Sequence, residues 1–283
     1  MTARTTDLHQ ATLRQADLRQ ASLHEAACAV LLCADPDEKA KQAIETAQQW
    51  QEGQLIRNRT APKNWPSQPA RPANLVVLPP NKMPKRGTGG GKAHISLLHA
   101  LAHIELNAID LAFDLIGRFA HHDLPDRFIS DWVQIGADEG KHFSMLNKRL
   151  REFDTQYGEH PVHDGLWEAA RATEHDLAAR LAIVPLVLEA RGLDVTPPMI
   201  RKLKQHGDRQ SAAILETIYE DEKAHVNAGI RWFMTLCRQQ KLDAESHFKQ
   251  LVARHFNGHI KPPFNIEART EAGLPVQFYT QPN

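Results

Sequence analysis

Cysteine is scarce in this chain: Cys28, Cys33 and Cys237 are all that 283 residues contain. An odd, low number fits a reducing cytoplasm, where disulfides are rare. No two of them form a Cys-x-x-Cys pair, so the sequence offers no thiolate-held iron centre, and electrons for any redox chemistry must come from an external donor. Charge imbalance is missing too. Lys and Arg number 34 against 34 Asp and Glu, which gives a formal net charge of zero. That balance argues against a wholesale nucleic-acid or membrane-surface role. No apolar run reaches the roughly 18 residues a membrane span needs. The first residues lead into a polar, Gln-rich stretch with no apolar leader core. The expectation is a cytoplasmic protein with no membrane partner.

Alternating strand patterns are also missing, and 3.6-residue apolar periodicity dominates. Residues from about Ser22 to Gln54 read as two helices, separated by Asp35 as N-cap and Pro36 at a first helical position. From Ala61 to Pro84 the chain is proline-rich, with Leu75-Val76-Val77-Leu78 as a short extended segment packed on the body. Lys85 to Lys92 is a glycine-rich basic loop without Walker spacing, and so a flexible linker. Four long helical stretches follow: about Ala93–His121, Pro125–Asp154, Asp164–Arg191 (ending at Gly192) and Asp208–Gln239. A short helix capped by Thr196-Pro197-Pro198 stands between the last two. A further helix, about Asp243–His255, precedes a proline-rich tail. The fold class expected is all-α, an antiparallel four-helix bundle. Its expected divisions are a helical extension (1–60), a Pro/Gly-rich linker (61–91), the bundle (92–240), and a C-terminal helix and tail (241–283).

The helices carry a repeated motif. Asp138-Glu139-Gly140-Lys141-His142 recurs as Asp221-Glu222-Lys223-Ala224-His225. With 17 Glu and 16 His in the chain, about one Glu-x-x-His is expected by chance. Two copies, each preceded by Asp, are another matter. Each also follows a lone Glu in apolar surroundings: Glu105 stands 34 residues before Glu139, and Glu189 stands 33 before Glu222. Positions i and i+3 lie on one helix face, so Glu139 with His142, and Glu222 with His225, can each reach one metal ion. Two Glu plus two Glu-x-x-His is the ligand set of a dinuclear carboxylate centre. Four carboxylates balance two divalent ions, which makes their burial tolerable. On this reading Glu105 and Glu189 bridge the ions. Asp138 and Asp221 accept from the outer N–H of a motif imidazole, on their own helix or a neighbour's. Oxygen-rich donors with one nitrogen per ion suit iron or manganese.

Around this set stand weaker candidates. Tyr219 lies one turn before Glu222 and is placed to hydrogen-bond a ligand, to relay an electron, or simply to pack. Pro185, one turn before Glu189, kinks its helix. His99 and His103 point away from Glu105 and toward another element. Glu174, His175 and Asp176 are solvated or interhelical, and Trp132, Trp167 and Trp232 are packing residues.

At these residues the chain resembles the ferritin-like superfamily of non-haem diiron proteins. It is most similar to the bacterial ferritin-like family catalogued as domain of unknown function 455. The resemblance runs from about Arg86 to Phe256. It rests on Ala102 to Asp110, on Asp138-Glu139 through His142-Phe143, on Leu193 to Met199, and on Tyr219 through Val226 with Arg231-Trp232-Phe233. It implies a ferritin-like bundle with metal ligands at Glu105, Glu139, His142, Glu189, Glu222 and His225. The cofactors implied are two Fe ions, or a Mn/Fe pair, with O2 as co-substrate.

The first functional expectation is therefore an O2-dependent oxygenase or hydroxylase of a small organic substrate, with Glu105, Glu139, Glu189, Glu222 and Tyr219 as catalytic candidates. The alternatives are a rubrerythrin-like peroxide- or O2-scavenging oxidoreductase fed by an external donor, iron oxidation and storage, and a non-catalytic iron-binding protein. Nucleic acid is disfavoured as a partner by the zero net charge. The basic groups Lys82, Lys85, Arg86 and Lys92, with Arg201, Lys202 and Lys204, are the features that would favour a tRNA.

Overall fold

A computed structural model describes residues 21–280. The chain is mostly helical. Its helices are α1 (Leu23–Leu32), α2 (Pro36–Gln51), α3 (Gly91–Phe119), α4 (Asp126–Arg151), α5 (Gly165–Ala172), α6 (Leu177–Ile183), α7 (Ala190–Gln205), α8 (Arg209–Gln240), α9 (Ala244–His255), α10 (Ile266–Glu271) and α11 (Val276–Tyr279). Two-residue strands, β1 (Ala21–Ser22) and β2 (Leu55–Ile56), pair in parallel. Val77 bridges Val162, so the expected extended segment is present, with Val76 and Val77 turned outward.

Local chemistry sets the helix ends. The Asp35 carboxylate accepts from the Glu38 N–H at 2.9 Å with Pro36 at the first helical position, as the sequence predicts. The last carbonyls of α3 and those just beyond it would be orphaned. Arg57 reaches across and donates to the carbonyls of Ala120, His122 and Leu124.

Helix α3 is the buried spine. By length and composition it would suffice to cross a membrane, contrary to the sequence expectation. However, 83% of its most apolar window is buried inside the fold, so it reads as a core helix. It packs on α4, while α7 and the turn before it pack on α8; contact between α4 and α8 joins the two pairs. Helix α2 lies against α4 on the outside. There Gly140 permits the approach, since a Cβ at that position would stand 2.7 Å from the Ala40 carbonyl oxygen.

Three acidic residues are buried along α3: Glu105, Asp110 and Asp114. Two have cationic partners. Asp110 pairs with buried Lys39 of α2. Asp114 accepts from Arg180 at 2.7 Å and from Arg118 and Trp65. Removing one member of such a buried pair typically costs about 3–5 kcal/mol, because the other charge stays in the interior. These pairs fix α2 and α6 against α3, and α3 in turn carries Glu105.

The third expected helix is where the structure departs furthest from the sequence reading. It is broken into α5 and α6, with the Asp176 carboxylate capping α6. A wider π-helical turn then spans Val184–Glu189. Helix α7 runs through Gly192 and through Pro197 and Pro198 to Gln205, where the sequence suggested a stop and a new start. The physical reason lies elsewhere in the chain. Pro197 cannot donate to the Leu193 carbonyl, and Asn265 Nδ2 donates to that carbonyl instead at 3.1 Å. The expected proline-rich tail contains α10 and α11. It is clamped to α7 by Arg269, which makes a bidentate pair with Asp194 at 2.9 and 2.7 Å.

Candidate metal centre

Four helical segments carry the six expected side chains; five of them form two clusters, and Glu189 lines the same cavity as Glu105 and Glu222 but belongs to neither cluster. Glu105 comes from α3, Glu139 and His142 from α4, Glu189 from the π-helical turn, and Glu222 and His225 from α8. Donor atoms of Glu105, Glu139 and His142 lie within 4.8 Å of one another, as do those of Glu139, Glu222 and His225. Each group could hold a metal ion, and Glu139 belongs to both. Its Oε2 is 3.1 Å from His142 Nδ1, and its Oε1 is 3.1 Å from His225 Nδ1. Glu105 Oε2 is 3.3 Å from His142 Nδ1, and Glu222 Oε2 is 3.6 Å from His225 Nδ1. The sequence reading had Glu105 and Glu189 between the ions. In the structure the carboxylate common to both groups is Glu139, with Glu105 on the side of His142. The reason is topological: α4 and α8 pack directly, so a carboxylate on their contact faces both imidazoles.

The aspartates that precede the motifs exchange partners across the interface. His142 Nε2 is 3.0 Å from Asp221 Oδ2 on α8. His225 Nε2 is 3.8 Å from Asp138 Oδ2 on α4, an ion-pair distance longer than a hydrogen bond. A carboxylate only accepts, so Asp221 accepts from His142 Nε2–H, and Nδ1 is the ring nitrogen that would turn to a cation displacing its other proton, beside Glu105 and Glu139.

The donor set fits a cation. Glu105 Oε2, Glu139 Oε1, Glu189 Oε2, Glu222 Oε2 and His225 Nδ1 are buried, and none has a hydrogen-bond partner in the protein. Native interiors rarely leave so many polar atoms unpaired at one spot. Glu139 Oε1 and His225 Nδ1 are close yet not aligned with each other, as expected of lone pairs aimed at a common third atom. Titration points the same way. Burial, then the charge of Glu139, pushes the Glu105 carboxyl well above its ordinary range. Burial, then Glu222, does the same to Glu189. Burial also raises Glu222. Burial works to raise Glu139, but the adjacent His142 and His225 imidazoles outweigh it and hold the carboxyl low. His142 is pushed up to about 11: burial opposes the rise, but Glu105 and Glu139 overcome it. His225 is raised well above its usual value, against burial, by Asp138, Glu139 and Glu222. Positive charge is thus strongly favoured here, supplied by protons or by a metal that displaces them.

Two openings reach the centre from different directions. One is an apolar cavity of about 180 Å³, bounded by Leu101, Ala108, Val184 and Leu215 and floored by Glu105, Glu189 and Glu222. The other is a polar groove where Asp138 and His225 meet Arg127, Lys223 and Arg231. No sequence signal marked either opening, since their walls come from scattered positions.

The other candidates fall outside the cluster. The Tyr219 hydroxyl accepts from Asn265 Nδ2 at 3.1 Å, and its ring lies under Lys223, 4.9 Å away. That hydrogen bond goes to the C-terminal segment and not to a metal-facing carboxylate, which corrects its expected place among the catalytic residues. His103 bonds to Tyr157 at 2.8 Å and His99 accepts from the Gly158 N–H at 2.9 Å, both away from the centre. Trp132, Trp167 and Trp232 are buried packing residues.

Residues 32–280 match the family model described as "Protein of unknown function (DUF455)". The chain is also 39% identical over 210 residues to an uncharacterized protein of Haemophilus influenzae, a match covering 72% of this chain and 73% of that one. No solved structure matches it.

Proposed function

The chain belongs to the family described as Protein of unknown function (DUF455), and we propose that it is a carboxylate-bridged diiron protein that hydroxylates an organic substrate with dioxygen. On this reading α3, α4, the segment from α6 through α7, and α8 form a ferritin-like four-helix bundle. Glu105, Glu139, His142, Glu189, Glu222 and His225 hold the two metals. The observation that carries the proposal is the sharing of Glu139 between two carboxylate–imidazole groups, beside an apolar cavity that ends on Glu105, Glu189 and Glu222.

When bound, iron ions supply the redox chemistry with O2 that side chains cannot provide. In the overall reaction one oxygen atom enters a C–H bond and the other leaves as water. The remaining two electrons and two protons come from an external donor. The residues of the chain do the rest. Asp221 fixes His142 in the orientation that presents Nδ1. Leu101, Ala108, Val184 and Leu215 exclude water and pack an apolar substrate. The Asp138–His225 side opens to a polar groove through which protons can reach the centre. Peroxide or O2 scavenging would use the same ligands but has no need of the apolar cavity, so the cavity favours the hydroxylase reading.

The test is reconstitution with Fe(II) without air, followed by metal analysis and O2 uptake, beside a Glu139→Ala/Glu222→Ala variant. About two irons per chain, with O2-dependent optical changes that vanish in the variant, are expected. Equal metal content in wild type and variant would refute the centre.

A further inference from the structure

The apolar cavity beside the centre does not end as an isolated pocket. A second cavity of about 210 Å³ meets it at Ile104, Leu166, Leu188 and Arg191. Ile104, at this junction, is 40% exposed, and Val195, on the first cavity, is 38% exposed. Large apolar side chains thus stand at the opening, as expected where an apolar ligand enters.

Charge is segregated along this cleft. All the acidic lining residues, Glu105, Glu189 and Glu222, are at the metal end. The second cavity has no acidic lining residue and carries Arg86, Arg191, His103 and His163. Arg191 is already engaged, donating to Asp194 and to the carbonyls of Lys261 and Pro263. His103 is consumed by Tyr157 and the His163 carbonyl. Two groups are left with donors to offer. His163 Nδ1 accepts from the Gly165 N–H at 3.3 Å, which leaves Nε2–H as a donor. The Arg86 guanidinium, on an exposed residue at the mouth of this cavity, has no hydrogen-bond or ion-pair partner among the described residues. Its charge is felt by both His99 and His163. An unpaired guanidinium with no acid in its cavity is set up to recognise an anion, most strongly a planar carboxylate.

Size constrains the other end. A dry cavity of about 150 Å³ holds a benzene ring. The space of about 180 Å³ beside the centre therefore takes a compact apolar group of about six carbons.

We infer that the cleft binds an organic monocarboxylate, its apolar body beside Glu105, Glu189 and Glu222 and its carboxylate on Arg86 and His163. The inference rests on the oxygenase reading and gives its substrate a chemical class. In this arrangement the reacting carbon lies at the end of the molecule remote from the carboxylate.

The experiment measures binding rather than turnover. The full chain, stripped of metal by chelation and separately loaded with Mn(II), is titrated calorimetrically with 3-phenylpropanoate and with its neutral isostere 3-phenylpropan-1-ol. The acid is expected to bind about 10-fold more tightly than the alcohol, the size of one charge-assisted contact. Arg86→Ala, at an exposed position, should erase that preference and leave the alcohol unaffected. Arg86→Lys should restore part of it. Equal affinity for acid and alcohol, a preference that survives Arg86→Ala, or no binding of either would overturn the inference. Metal analysis of the same preparations tests the centre separately. A chain that binds the acid but takes up no metal would sink the diiron reading and leave a carboxylate-binding pocket.

Discussion

His142 and Asp221 sit in different copies of the repeated motif, 79 residues apart in sequence, yet His142 Nε2 and Asp221 Oδ2 are 3.0 Å apart. The first motif thus depends on the other helix for the orientation of its imidazole. Asp221→Ala should leave the fold intact, because the side chain is half exposed, 45% by area. It should weaken metal binding about 10–100-fold, as loss of such a partner typically does. Asp138→Ala should have a smaller effect, since its contact with His225 is 3.8 Å long. Competition with a chromophoric chelator would measure both. Equal, negligible losses would show that the aspartates do not orient the imidazoles.

Glu139 and Glu105 are predicted to differ in stoichiometry. Glu139 touches both imidazoles, whereas Glu105 touches only His142. Glu139→Ala should therefore abolish tight binding of both ions, and Glu105→Ala should leave about one ion per chain. Elemental analysis of the two variants after identical loading decides the matter. One ion retained in Glu139→Ala would remove it from the shared position.

The clustered Glu and His residues were legible because their pattern is local. Spacing i, i+3 on a helix needs no tertiary knowledge, and the apolar neighbours of Glu105 and Glu189 signal burial. The position of Glu139 between the two imidazoles was not legible, because it depends on α4 and α8 being in direct contact. The exchange of Asp138 and Asp221 has the same origin. Pro185 signalled irregularity, but the π-helical turn that carries Glu189 is stabilised by its packing on α8. The run of α7 through Pro197 and Pro198 was hidden because Asn265, some 70 residues later, satisfies the Leu193 carbonyl. Tyr219 could not be placed from its spacing, because Asn265 of the C-terminal segment donates to its hydroxyl. Arg86 was seen as part of a basic loop. Only the packed structure places it over a cavity without acidic groups.

Acid should destabilise the protein through His99. Burial, with His160 and Arg86 adding repulsion, lowers its pKa from the ordinary 6.5 to about 4. The unfolded chain binds a proton at 6.5 and the native state resists until about 4, so the unfolded state holds more protons in between. The stability that neutral His99 provides is complete above pH 6.5 and is lost progressively as pH falls toward 4. The total is on the order of 3 kcal/mol. His99→Gln, which keeps an acceptor for the Gly158 N–H, should flatten this part of the curve of unfolding free energy against pH. An unchanged slope between pH 6.5 and 4 would assign the acid sensitivity to other groups.

Gly229 on α8 sets how closely that helix approaches the turn bearing Glu189. A Cβ at this position would lie 2.5 Å from Pro185 Cβ and 2.7 Å from its Cγ. A proline ring cannot rotate away, so the helices must separate. Replacing glycine by alanine inside a helix is worth up to about 1 kcal/mol, but overpacking of this kind costs about 1–3 kcal/mol. The clash should win. Gly229→Ala is expected to lower the unfolding free energy by about 1–2 kcal/mol and to weaken metal binding at the Glu222–His225 group, because Glu189 moves with its turn. Gly192→Ala is the control, since nothing lies within 4 Å of its Cβ; there the helix term acts alone and stability should rise by about 0.5–1 kcal/mol. Denaturant titration of both variants, with metal analysis alongside, separates the two effects. A stabilised Gly229→Ala protein with full metal content would mean that the contact with Pro185 is loose and does not position Glu189.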